Sequence, residues 1–162
     1  HMMTATDTYP ALDDGISTMP LAIPGDFPFE YFGAGVSEAT ISTNGWLTFT
    51  TGYAGDSFLD STVLSTLYPL AADVVNDAVC THREGTTITI EWRGETMDFF
   101  TGNFPVEMQV VLHQNGRIDF IYGPGHQSLA GNVGMVDAVD EYRYELTELE
   151  AFPSSVTFTP AP

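Results

Sequence analysis

The residues of this sequence best suited to chemistry are oxygen donors. Asp73, Asn76 and Asp77 lie within five residues of one another. A hard cation such as calcium takes six to eight oxygens, often gathered from a loop. Asp137, Asp140 and Glu141 form a second acidic cluster. The first adjoins an apolar run and is the better candidate, although neither follows the D-x-D-x-D-G spacing of an EF-hand loop. Calcium is therefore a candidate ligand at Asp73, Asn76 and Asp77, and no cofactor is required. Softer donors are Cys80, His82, His113 and His126. They show neither C-x-x-C nor H-E-x-x-H spacing. Cys80 and His82 project to one side only if their segment is extended throughout.

Other chemistries find less support. No G-x-S-x-G nucleophile elbow is present. Glu91 and Asp119 could belong to a carboxylate pair for glycoside hydrolysis. With 22 acidic residues in the chain, chance pairing is expected, and exposed strand carboxylates are the simpler account. We assign no catalytic residue and expect no enzyme, with a glycoside hydrolase or other hydrolase as the last alternative. Trp46, Tyr53, Tyr122, Tyr142 and Tyr144 could form a stacking platform for sugars, which makes a carbohydrate-binding module the second reading. A single cysteine, Cys80, excludes an intramolecular disulfide; a small buried side chain is its first reading, with an intermolecular disulfide or a reactive thiol as the alternatives.

Charge narrows the partner class. Against the 22 acids stand four basic residues, all arginine, for a net charge of -18. Nucleic-acid binding needs a cationic surface, and docking on an anionic membrane is disfavoured for the same reason. The absence of lysine removes Schiff-base and P-loop lysine chemistry. No run of 18 apolar residues exists, so membrane insertion is not expected. The acidity reads as a surface adaptation that favours solubility, and divalent cations or a basic partner would relieve the self-repulsion.

The elements that must position these residues are strands. Hydrophobic residues make up 43% of 162 residues, enough for one domain with a real core. Residues 1–18 read as an expression scar and polar lead-in, 19–159 as the domain, and 160–162 as the start of a linker. Period-two alternation marks residues 86–93, 105–113 and 117–122. Asn115-Gly116 separates the last two, and Asn44-Gly45 separates 40–43 from 46–50. Asn-Gly is the strongest short hairpin signal because both residues tolerate positive φ. Residues 69–75 read as one strand buried on both faces. Residues 95–101, 131–136 and 155–159 are further predicted strands. Residues 56–68 and 141–150 carry near-helical spacing, and in the second Tyr142, Tyr144 and Leu146 also alternate. Many short strands with Gly and Pro punctuation predict an all-β fold. The architecture expected is an antiparallel β-sandwich with at most one or two short helices.

The ordered motifs resemble one family. Phe27-Pro28-Phe29 is followed by Tyr31-Phe32-Gly33, then by Ser42-Thr43-Asn44-Gly45-Trp46-Leu47-Thr48-Phe49. Asp73 follows Pro69, Trp92 ends a strand, and Asn115-Gly116 leads into a strand that reaches Tyr122-Gly123. Gly131-Asn132-Val133-Gly134 comes next. The chain thereby resembles the nidogen-like (NIDO-type) extracellular domain of bacterial secreted proteins and of animal adhesion proteins such as nidogens and tectorins. Ala72 stands where that family commonly has tryptophan. The resemblance implies a secreted or cell-surface, non-catalytic adhesion or scaffold module with an extracellular protein or glycan partner. It implies structural roles for Phe27, Phe29, Gly33, Asn44, Gly45, Trp46, Phe49, Trp92, Asn115, Gly116 and Tyr122. The sequence leaves the ligand-binding residues and the oligomeric state open.

Overall fold

A computed structural model describes residues 7–10, 14–17, 20–55, 63–96, 103–124, 132–139, 143–146 and 154–160. Two six-stranded sheets make a β-sandwich, and every adjacent strand pair is antiparallel. The first sheet runs, edge to edge, through β1 (Asp7–Pro10), β8 (Val74–Glu84), β9 (Thr87–Thr96), β10 (Pro105–His113), β11 (Ile118–Tyr122) and β14 (Ser155–Phe158). The second runs through β13 (Arg143–Leu146), β12 (Asn132–Val136), β7 (Thr66–Ala71), β6 (Trp46–Thr48), β5 (Glu38–Ser42) and β2 (Leu21–Ala22). A separate ribbon pairs β3 (Glu30–Tyr31) with β4 (Ala34–Gly35). No helix occurs among the described residues.

Alternation decides which side chains enter the core. Ile88, Ile90 and Trp92 of β9 face inward, and Met108 and Val110 of β10 lie directly beside Trp92 and Ile90. Fully burying a large apolar side chain contributes about 1.5–3 kcal/mol. The second sheet is also covered on its far side, where Trp46, Val63, Tyr68 and Val136 form a smaller cluster with Tyr53 edge-on to Trp46. Trp46 and Phe49 are thus both buried, but on opposite faces of that sheet.

Several expectations change in detail. Residues 69–75 are not one strand. The chain leaves the second sheet at Ala71, passes Ala72 and Asp73, and enters the first sheet at Val74. The run is apolar because Leu70 and Val74, on either side of the link, both lie in the core. The paired register of β7 and β12 steps near Pro69, which has no N–H to give the ladder. Of the near-helical stretches, 66–68 belong to β7 and 143–146 form β13, so alternation prevails there, and 56–62 lie outside the described residues. Residues 86–93 and 95–96 join as one strand, β9. Asp7 to Pro10 pair with β8, and Ile16 bridges to Ser42.

Both Asn-Gly hairpins form, but each closes through three loop residues, 43–45 and 114–116. Only Gly45 (φ 75°) and Gly116 (φ 82°) take positive φ, and each Asn stays on the ordinary side. The 43–45 turn is buried. Gly45 O accepts Leu70 N–H at 3.4 Å and Asn44 Oδ1 accepts Val74 N–H at 3.1 Å, so the turn fills the gap where the chain changes sheets. A Cβ on Gly45 would lie 2.0 Å from Leu70 O. Gly45→Ala is therefore expected to destabilise by about 3 kcal/mol or more in urea unfolding. Gly52→Ala, at positive φ but in open space, is expected to lose about 1 kcal/mol.

Candidate functional site

The three proposed calcium ligands are given different surroundings. Asp73 is half-buried in the link between the sheets. Asn76 is only 2% exposed. Its Nδ2 donates to Thr43 O at 2.6 Å, and its Oδ1 meets no hydrogen-bond partner among the described residues. Asp77 is exposed, on the face opposite Asn76, and is the extra residue of a β-bulge. The register passes from Asn76 opposite Gly94 to Ala78 opposite Arg93. Gly94 is required there, since a Cβ would stand 2.1 Å from Val75 O. Spacing grouped three oxygen donors, but neighbouring strand residues face opposite ways, so Asn76 points inward and Asp77 outward.

Among the described residues, no three His, Cys, Asp or Glu side chains gather as a metal-holding group. Asp137 is buried, and its Oδ1 accepts the N–H of Val139 at 3.1 Å. Asp140, Glu141 and His126 lie outside the described residues. Cys80 and His82 do share a face, because β8 is extended through both, and Cys80 lies opposite Glu91.

The outer face of the first sheet holds the two carboxylates considered for hydrolysis, and both are engaged. Glu91 is 2% exposed, forms a close ion pair with Arg93, and accepts a hydrogen bond from Gln109 Nε2 at 3.3 Å. The hydrogen bond and charge of Glu91 raise the Arg93 pKa. The sequence signal for this pair was its i, i+2 spacing on a strand, which puts both side chains on one face.

Asp119 is the hub of a larger network. Oδ1 accepts Thr157 Oγ1–H at 2.8 Å, and Oδ2 lies 2.9 Å from Arg117 Nη2 and 2.7 Å from His113 Nε2. The close approach to a carboxylate places the hydrogen on His113 Nε2. The 3.1 Å separation of that nitrogen from Arg117 Nη2 is then two donors converging on one acceptor rather than a hydrogen bond. Burial is the largest single influence on Asp119 and opposes ionisation. The hydrogen bonds from Thr157 and His113 and the Arg117 charge together outweigh it, and the carboxyl is held below its ordinary value. Thr157, 38 residues along the chain, carried no local signal.

The family-motif residues lie in the core or in turns. Phe27, Phe29, Phe49, Trp92 and Tyr122 are buried in the main core. Trp92 Nε1 donates across the sandwich to Ser42 O at 2.8 Å, and Tyr122 Oη to Pro69 O at 2.7 Å. Asn115 Oδ1 accepts Arg117 N–H in the β10–β11 turn, and Gly33 takes φ 78° in the β3–β4 turn. Of the aromatics considered for sugar stacking, Trp46 and Tyr122 are buried and Tyr53 is half-buried. Tyr142 and the side chain of Tyr144 lie outside the described residues.

A carboxyl with a depressed folded-state pKa stabilises above its unfolded pKa, about 3.9, and loses that contribution as pH falls through the folded value. Asp119→Asn is expected to lower stability by about 1–3 kcal/mol at pH 7. The difference from wild type should shrink below about pH 4, as read from urea midpoints at pH 7 and pH 3.

Comparison with curated proteins and with solved structures returned no match. Comparison with protein families returned one whose model, described as NIDO related, matches residues 1–161. The match spans both sheets and the link between them, and it agrees with the ordered motifs from Phe27 to Gly134. The chain belongs to the NIDO-related family.

Proposed function

We propose that this domain is a non-catalytic extracellular or cell-surface module for adhesion or scaffolding, and that it recognises a protein partner. The observation that carries the reading is the NIDO-related family match over residues 1–161. The chemistry of the surface agrees with it. Glu91 and Asp119 are committed to Arg93 and to Arg117 with His113, so neither stands ready as a general acid or base. Arg83 is likewise bound by Asp26 through two hydrogen bonds, of 3.1 and 3.0 Å. The hydrogen bond from Arg83 leads the effects that lower the Asp26 pKa. With three arginines held by the protein's own acids and a net charge of -18, the field outside the molecule favours a basic partner surface. Among the described residues no helix is long and apolar enough to cross a membrane.

Calcium stays in this proposal as a stiffening ligand for Asp73 and Asn76 alone, because Asp77, the third candidate, faces the opposite side of β8. The support is the buried Asn76 Oδ1, an oxygen still lacking a donor. Thermal melts in chelator and in calcium test it. At about 100 times its Kd a single calcium site adds about 2.7 kcal/mol, and an unchanged midpoint removes the site.

For the partner, beads coated with the domain are expected to capture cells of the producing organism. Trypsin treatment of the cell surface should abolish capture, and periodate oxidation of surface glycans should not. Capture that resists trypsin but is lost after periodate would make this a carbohydrate-binding module instead. No capture by the wild-type domain would overturn the adhesion reading.

A further inference from the structure

Phe32 adopts a conformation at odds with its side chain. The β3–β4 ribbon turns through two residues, Phe32 and Gly33, with Tyr31 paired to Ala34. Both turn residues have positive φ, 49° and 78°. Such turns favour Asn-Gly, because a bulky side chain in the left-handed region is strained. Phe32 is 49% exposed. It packs edge-on to Tyr31, with ring centroids 4.8 Å apart and planes at 82°. Tyr31 is itself fixed, its hydroxyl donating to Thr66 O at 2.9 Å and Val136 O at 2.8 Å. The ribbon thus holds one aromatic ring outward on a rigid mount, outside both sheets.

Charge indicates what the ring meets. Glu30 is exposed on the same ribbon, two residues before Phe32. The fold already contains one example of an adjoining acid and aromatic gripping a guanidinium. Asp26 holds Arg83 through both carboxylate oxygens while the Arg83 guanidinium carbon lies 5.7 Å from the Phe27 ring centroid. A guanidinium can stack on a ring and bond a carboxylate at once, which an ammonium does less well. We propose that the Phe32–Gly33 tip, with Glu30, is the docking point for an arginine-bearing segment of the partner protein. This rests on reading the domain as a protein-recognition module.

The test uses a blocked tetra-arginine peptide in 150 mM NaCl, titrated calorimetrically into the intact domain. Phe32→Asn keeps the net charge and suits the turn. It is expected to weaken binding about fivefold while leaving the melting midpoint unchanged or higher. Glu30→Gln should also weaken binding. Ile121→Thr alters a comparably exposed apolar residue, 39% exposed on the first sheet, and should leave affinity unchanged. No binding by wild type, or equal binding by all four proteins, would overturn the assignment. A midpoint lowered by more than about 3 °C in Phe32→Asn would make Phe32 a packing residue instead. Phe32-dependent binding to neutral phosphatidylcholine vesicles would replace the peptide partner with a lipid surface. If wild-type beads capture cells and Phe32→Asn beads capture them equally, the tip is wrong and the adhesion reading stands.

Discussion

The structure depends on one close approach, that of the 43–45 turn to the point where the chain passes from one sheet to the other. A link of two residues, Ala72 and Asp73, would ordinarily leave the backbone groups around it short of partners inside a core. Asn44 and Gly45 supply them, by accepting Val74 N–H and Leu70 N–H. Asn76 answers from the first sheet by donating to Thr43 O, and Trp92 does the same to Ser42 O. The turn is thus the place where both sheets and their connection are tied together, and buried polar groups there are nearly all satisfied. Gly45 can occupy it because its missing Cβ is what allows contact with Leu70 O.

Elsewhere single tyrosines tie the parts of the fold together, Tyr122 joining the two sheets and Tyr31 joining the β3–β4 ribbon to the second sheet. Tyr122 reaches Pro69 O, and Tyr31 reaches Thr66 O and Val136 O, each from within the core. Burial raises both phenol pKa values, so they remain donors across the accessible pH range. The carbonyl of Pro69 is thereby used even though its nitrogen has no hydrogen to give. Among the described residues, the polar ties across the sandwich are carried by neutral groups.

Much of this was legible in the sequence, and the exceptions share a cause. Ile88, Ile90 and Trp92, or Val106, Met108 and Val110, announce their strands because their alternation is unbroken. β8 was missed because its bulge at Asp77 breaks the parity, placing Val74, Asn76, Val79 and Thr81 on the buried side. Asn76 and Asp77 face opposite sides because they are neighbours on a strand, a consequence hidden only as long as β8 itself went unrecognised. Both Asn-Gly turns were legible as hairpins, yet loop length was not, since three-residue and two-residue loops use the same dipeptide. The Phe32–Gly33 turn, with two positive φ values, lacked the expected asparagine. The Asp119 network required Thr157, which only the folded sheet brings near.

The arrangement of the edge strands has a mechanical consequence. β1 and β14 flank the first sheet on opposite sides. Asp7 pairs near the end of β8 that leads into the β8–β9 turn, and Phe158 pairs with Ile118 at that same end. Tension applied through Asp7 and Phe158 therefore loads each edge ladder from one end. Antiparallel hydrogen bonds run perpendicular to the strands, so they break in succession, as in a zipper, instead of resisting together in shear. Under load the two edge strands act as a compliant margin that yields first, while β8 through β11 and the turn locked against Leu70 stay intact.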